Sequence, residues 1–91
     1  MKITERFLKY VSFDTTSDED SPSTPSTEKQ KALGAFLADE LKSIGLEEVR
    51  MDEYGYVYGY LPATEDRKND ATVGLIAHMD TSPAVSGTDI K

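Results

Sequence analysis

One histidine and one aspartate at the end of an apolar run are the residues of this chain whose types and spacing suit chemistry. His78 is the only histidine among the 91 residues, and Asp80 follows it by two positions. An imidazole binds zinc through one ring nitrogen, and a nearby carboxylate can accept the proton of the other nitrogen and orient the ring. The pair is equally suited to serve as the base and orienter of a nucleophile, for which Ser82 and Ser86 are the candidates.

Two residues do not complete either kind of site. A zinc site needs three or four protein ligands, and an isolated H-x-D also occurs as a hydrogen-bonded structural feature. The acidic pair Glu47 and Glu48 is far in sequence from the histidine, and we interpret it as solvent-exposed. The serine hypothesis is the weaker one, because Ser82 precedes a proline and no G-x-S-x-G pattern is present.

The helices that must support this pair are predicted by apolar spacing. Residues 3–11 place their apolar side chains on one helical face, and residues 12–26 are polar, acidic and proline-containing, as in a loop. A second helix is expected from Thr27, a suitable N-cap with Gln30 three residues later, to a C-cap at Gly45. Its apolar stripe must pack against another element of the fold.

Three strands are predicted after the helices. Residues 49–52 and 56–61 alternate in polarity, which indicates two half-buried strands paired antiparallel. Residues 71–78 form a near-continuous apolar run, typical of a strand covered on both faces. The sequence therefore predicts an α/β fold, part of a mixed sheet flanked by helices in the order helix-helix-strand-strand-strand. His78 and Asp80 would follow the interior strand, where open α/β sheets place ligands.

Composition restricts the partners and the compartment. The net charge is −7, with 17 acidic and 10 basic residues, which disfavours nucleic acid and anionic membrane surfaces as partners. The first residues lack the apolar stretch of a secretory signal, and no segment approaches the ~20 apolar residues of a membrane span. The absence of cysteine excludes disulfides and thiolate zinc sites. We expect a cytoplasmic protein and one small domain, or a piece of a larger one.

Longer motifs resemble a known family. RFLKYVSFDTTS at residues 6–17, PSTEKQ at 25–30, LKSIGL at 41–46 and HMDTSP at 78–83 are similar to the amino-terminal part of tripeptide aminopeptidases. These enzymes are part of a co-catalytic zinc peptidase family that also holds carboxypeptidase G, dipeptidases and deacylases. The resemblance implies that His78 is a zinc ligand and that Asp80 is the catalytic aspartate, which acts without binding the metal.

The same resemblance implies what this sequence lacks. The family's other ligands, its general-base glutamate and its dimerising lid domain lie further along a longer chain. Residues 1–91 are therefore expected to be a truncated, amino-terminal portion of an incomplete zinc-peptidase catalytic domain. The parent would hold two zinc ions, hydrolyse short peptides and form a homodimer. The fragment itself would be inactive, bind no zinc tightly and self-associate. A related deacylase or dipeptidase fragment, or a non-catalytic binding module of the same fold, remains an alternative.

Overall fold

Two helices followed by a β-hairpin make up the regular structure of the chain. The computed structural model describes residues 2–89. Its elements are helix α1 at Ile3–Val11, helix α2 at Gln30–Ser43, strand β1 at Glu47–Met51, strand β2 at Val57–Tyr60 and a 3-10 turn at Glu65–Arg67. The predicted α/β class, both helices and the antiparallel pairing of the first two strands are confirmed.

Helix α2 packs its small residues against the hairpin. Gly34 and Ala38 are buried beside Leu33, and a Cβ atom at Gly34 would lie 2.8 Å from the Sδ atom of Met51. The helix backbone therefore lies almost directly on the sheet, which explains why the inner face carries glycine and alanine. Gly45 ends the helix with a φ of 101°, as the C-cap prediction requires.

The predicted start of α2 is wrong by two residues. The helix begins at Gln30, and the N-cap position is Lys29 rather than Thr27. The hydroxyl of Thr27 donates instead to the carbonyl of Thr16 at 2.8 Å. The buried side chain of Gln30 donates to that same hydroxyl at 2.9 Å. Thr27 therefore ties the preceding loop to the helix instead of capping it.

Helix α1 is held on α2 by a polar cluster and aromatic contacts. The Tyr10 hydroxyl donates to the carboxylate of Glu40, and the Nε atom of Arg6 lies 3.6 Å from the same carboxylate. The hydrogen bond to Glu40 raises the pKa of Tyr10 above its ordinary value. The ring of Phe36 meets Tyr10 edge-on at 6.2 Å and Phe13 at 5.6 Å between centroids. These contacts fix the direction in which the chain leaves α1.

The hairpin is closed by an aspartate at its turn. Met51 pairs with Val57 across the two strands. The Oδ1 atom of Asp52 accepts hydrogen bonds from the amides of Tyr54 and Tyr56, each at 3.0 Å. A carboxylate that satisfies two turn amides is a local alternative to strand pairing, so the chain reverses at this position.

The prediction of an interior strand over residues 71–78 is wrong. This segment has no regular secondary structure, and Leu75 and Ile76 are 96% and 99% exposed. Among the described residues, the sheet has two antiparallel strands and is not mixed. Apolar continuity predicts burial, but a strand also needs a neighbour for its N–H and C=O groups. No segment within residues 2–89 provides one.

Candidate metal-binding and catalytic site

His78 and Asp80 are in direct contact. The Nδ1 atom of His78 lies 2.9 Å from the Oδ1 atom of Asp80 and 3.0 Å from the backbone oxygen of the same residue. A carboxylate and a carbonyl oxygen can only accept hydrogen bonds, so Nδ1 must carry the proton. When the imidazole is neutral, its lone pair is therefore on Nε2, the ring nitrogen that makes no contact with the aspartate.

The exposed Nε2 atom has the chemistry of a single metal ligand. The side chain of His78 is 84% exposed and that of Asp80 is 40% exposed. Neutral imidazole with its second nitrogen hydrogen-bonded to a carboxylate is the usual state of a zinc-binding histidine. Within residues 2–89, no three side chains of the His, Cys, Asp and Glu types come together in a metal-binding group. The residues present thus fit one ligand position and its orienting partner.

The acidic pair and the two candidate serines make no hydrogen bond to the imidazole within the described residues. Glu47 and Glu48 are exposed on β1. The Oγ atom of Ser82 accepts a hydrogen bond from the amide of Ala84 at 3.2 Å, and Ser86 bonds the hydroxyl of Thr88 at 2.8 Å. Neither serine is hydrogen-bonded to His78, so the described geometry does not support a serine nucleophile.

A parallel bridge anchors the segment immediately after the pair. The amide of Thr81 donates to the carbonyl of Thr15 at 3.1 Å, and the amide of Ser17 donates to the carbonyl of Thr81 at 2.9 Å. These two bonds flank Thr16, which pairs with Thr81. Thr15 is 3% exposed, so the residue that accepts the Thr81 amide is buried. The loop after α1 therefore supports the residue that follows Asp80.

Asp14 organises this loop, a role that spacing within the site did not predict. Its carboxylate accepts hydrogen bonds from the Thr16 hydroxyl at 2.7 Å, the Thr16 amide at 3.2 Å and the Lys29 ammonium at 3.0 Å. The Thr16 hydroxyl, and after it Lys29, lower the pKa of Asp14. An aspartate two residues before a threonine is a known local motif, which is the signal available in the sequence.

Two clefts meet at the His78–Asp80 pair. The larger, of about 610 Å³, is walled by apolar side chains of α2 and of the loop after α1, among them Leu33, Leu37 and Phe13. The smaller, of about 320 Å³, lies on the side of the hairpin turn. Both clefts include His78 and Asp80 in their walls. The pair is therefore accessible from two directions.

The chain is similar to peptidases. It is 55% identical over 90 residues to a protein of Clostridium acetobutylicum, and 56% identical over 90 residues to one of Caldanaerobacter subterraneus subsp. tengcongensis. A third relative, from Parabacteroides distasonis, is 48% identical over 91 residues. Each of the three is a peptidase T, and each alignment covers 99% or more of this chain. The resemblance inferred from the motifs is confirmed.

The similarity covers only part of these relatives. The chain spans 22% of the length of each of the three proteins. No family model matches the chain. No helix within residues 2–89 has the length and apolarity needed to cross a membrane. The similarity thus extends over about one fifth of the length of a peptidase T.

Proposed function

We propose that this chain contributes a zinc ligand, His78, and an orienting carboxylate, Asp80, to the active site of a zinc-dependent aminopeptidase. The enzyme would release the N-terminal residue of short peptides, tripeptides in particular. One observation carries the proposal: His78 Nδ1 lies 2.9 Å from Asp80 Oδ1, in a chain 55% identical to a peptidase T.

The two side chains divide the work between binding and orientation. Asp80 accepts a hydrogen bond from Nδ1–H, which turns the Nε2 lone pair outward and strengthens the imidazole as a metal ligand. His78 would hold one of two zinc ions, and the chemistry that a bound zinc pair would supply is polarisation of the scissile carbonyl and a lower pKa for water. Asp80 keeps the imidazole in one tautomer and one direction through this chemistry.

On this proposal the described residues hold only part of the site. The remaining ligands and the general-base glutamate belong to chain beyond these 91 residues. The 91 residues alone are therefore expected to bind zinc weakly and to hydrolyse no tripeptide. The complete enzyme is proposed to hold two zinc ions, to form a homodimer and to act in the cytoplasm.

A chimera tests the proposal. This chain replaces the matching segment of the Clostridium acetobutylicum peptidase T, and zinc content and tripeptide hydrolysis are measured. The chimera should hold zinc and be active, and His78→Ala should lower its zinc content and abolish hydrolysis, because it deletes a metal bond. Lys68→Ala, which truncates a side chain that is 62% exposed, is the control and should change neither.

Two outcomes would reject the proposal. A His78→Ala chimera that keeps its zinc and its activity would show that H-x-D is structural. A chimera that folds but holds no zinc and hydrolyses no tripeptide would show that this chain does not supply the proposed ligand.

A further inference from the structure

We infer that Asp14 is a positioning residue for the His78–Asp80 pair and acts on it through the bridge between Thr16 and Thr81. The catalytic meaning of this role rests on the function proposed above. The structural part of the inference concerns only contacts within this chain, and it is testable without any activity.

Asp14 fixes the position of Thr16. Its carboxylate binds both the amide and the hydroxyl of Thr16, at 3.2 and 2.7 Å. The Thr16 carbonyl accepts the hydroxyl of Thr27 at 2.8 Å, and Lys29 binds Asp14 at 3.0 Å. Thr16 is therefore fixed from both sides to the start of α2, the most buried helix of the described chain.

A single peptide unit, between Asp80 and Thr81, connects the bridge to the imidazole. The carbonyl of Asp80 and the amide of Thr81 belong to one planar group, so the direction of one sets the direction of the other. The amide donates to the carbonyl of Thr15 at 3.1 Å. The carbonyl oxygen lies 3.0 Å from His78 Nδ1. Any shift of the loop that carries Thr15 therefore turns an acceptor of the imidazole proton.

The backbone at Gly87 packs closely against the side chains of Asp14 and Thr16. A Cβ atom at position 87 would lie 2.6 Å from Asp14 Oδ1 and 2.7 Å from the Thr16 hydroxyl oxygen. These two oxygens are hydrogen-bonded to each other, so neither can move without disturbing the hydrogen bond between Asp14 and Thr16. Gly74 offers a matched comparison, because a Cβ atom there would meet nothing within 4 Å. Neither glycine has a left-handed φ, so alanine strains neither backbone.

The tautomer of His78 is the direct readout, and the chain has no other histidine to obscure it. Imidazole nitrogen shifts are recorded by NMR on the 91-residue chain at about pH 8.5, two units above the ordinary histidine pKa. The unmodified chain should hold the Nδ1–H tautomer. Asp14→Ala should lower the ratio of Nδ1–H to Nε2–H about fivefold, the effect of losing one ordinary hydrogen bond.

Three further variants keep the test decisive. Asp14→Asn should shift the ratio less than Asp14→Ala, because its amide oxygen still accepts from Thr16. Gly87→Ala should shift it although it removes no polar group, and Gly74→Ala should leave it unchanged. Far-UV circular dichroism checks that each variant is folded. If Asp14→Ala does not fold, the tautomer ratio of Gly87→Ala tests the inference in its place. An unchanged tautomer in the folded variants would overturn the inference.

Kinetics on the chimera separate this inference from the proposed function. Asp14→Ala should lower kcat with little change in KM, and Asp14→Asn should restore part of kcat. An inactive chimera with the expected tautomer shifts would reject the function and leave the positioning role standing. An active chimera in which Asp14→Ala changes neither tautomer nor kcat would reject the positioning role alone.

Discussion

The ammonium of Lys29, at the start of α2, lies 3.0 Å from the carboxylate of Asp14 in the loop after α1. The two side chains are 44% and 29% exposed, so this is a surface ion pair that contributes little by itself. The ion pair is important because of its position, since the same carboxylate of Asp14 also binds Thr16. The pair thus connects the helix that forms the core to the loop that supports His78 and Asp80.

Asp14 should make the chain less stable in acid. Its folded-state pKa lies below the ordinary value of 3.8, because of the Thr16 hydroxyl and Lys29. A lowered pKa means that this contribution to stability is fully present above that value and is lost as the pH falls below it. Urea unfolding of the chain as a function of pH measures the effect.

Asp14→Asn should remove this part of the acid dependence. The matched control is Asp39→Asn, which changes the same charge on an exposed position of α2 and should leave the acid dependence of the unmodified chain in place. Identical pH profiles for Asp14→Asn and the unmodified chain would contradict the prediction.

Asp80→Asn should separate zinc binding from turnover in the chimera. The substitution keeps an oxygen that can accept from His78 Nδ1, so zinc should remain bound. It removes the charge that tunes the imidazole, and the loss of such a partner lowers affinity or activity by ~10–100-fold. Zinc content and tripeptide hydrolysis are measured on the same samples. Loss of zinc in Asp80→Asn together with its retention in His78→Ala would reverse the roles assigned here.

The same substitution at two leucines should have very different effects on stability. Leu33 is 6% exposed, whereas Leu75 is 96% exposed. Leu33→Ala leaves a cavity on the buried face of α2 and should lower the free energy of unfolding by about 2–5 kcal/mol. Leu75→Ala should change it by less than ~0.5 kcal/mol. Denaturant unfolding compares the two, and equal effects would show that the described packing of α2 is not the core.

Residues 71–77 should make the chain self-associate. Val73, Leu75 and Ile76 are 80%, 96% and 99% exposed and follow one another in an unpaired segment, which favours pairing with another chain. Sedimentation velocity should show mass above that of a monomer at high concentration. Leu75→Lys should reduce it, whereas Thr72→Lys, which adds the same charge without removing an apolar side chain, should reduce it less. A concentration-independent monomer would contradict the prediction.

The sequence was sufficient where the determining contacts are local. Helix α1 runs over Ile3–Val11 as its apolar spacing predicts, and Gly45 ends α2 because a left-handed residue is needed there. The contact of His78 with Asp80 likewise follows from a spacing of two residues.

The errors concern contacts between distant parts of the chain. Residues 71–78 have the composition of a buried strand, but only a neighbouring strand creates one. Thr27 has the properties of an N-cap, but its hydroxyl donates a hydrogen bond to the carbonyl of Thr16 instead. Asp14 was not identified as part of the site because its effect passes through a bridge to Thr81, which no local pattern encodes.

The bridge between Thr16 and Thr81 also imposes an order on folding. The partners of its hydrogen bonds include Ser17 and Thr81, which are 64 residues apart, so the bridge must close a long loop for only a few bonds. Helix α2 and the hairpin involve neighbouring segments and can assemble first. The support that the loop after α1 gives to the histidine pair is therefore completed late. Its supporting amide, that of Thr81, should exchange with deuterated solvent through local opening while the amides of α2 remain protected.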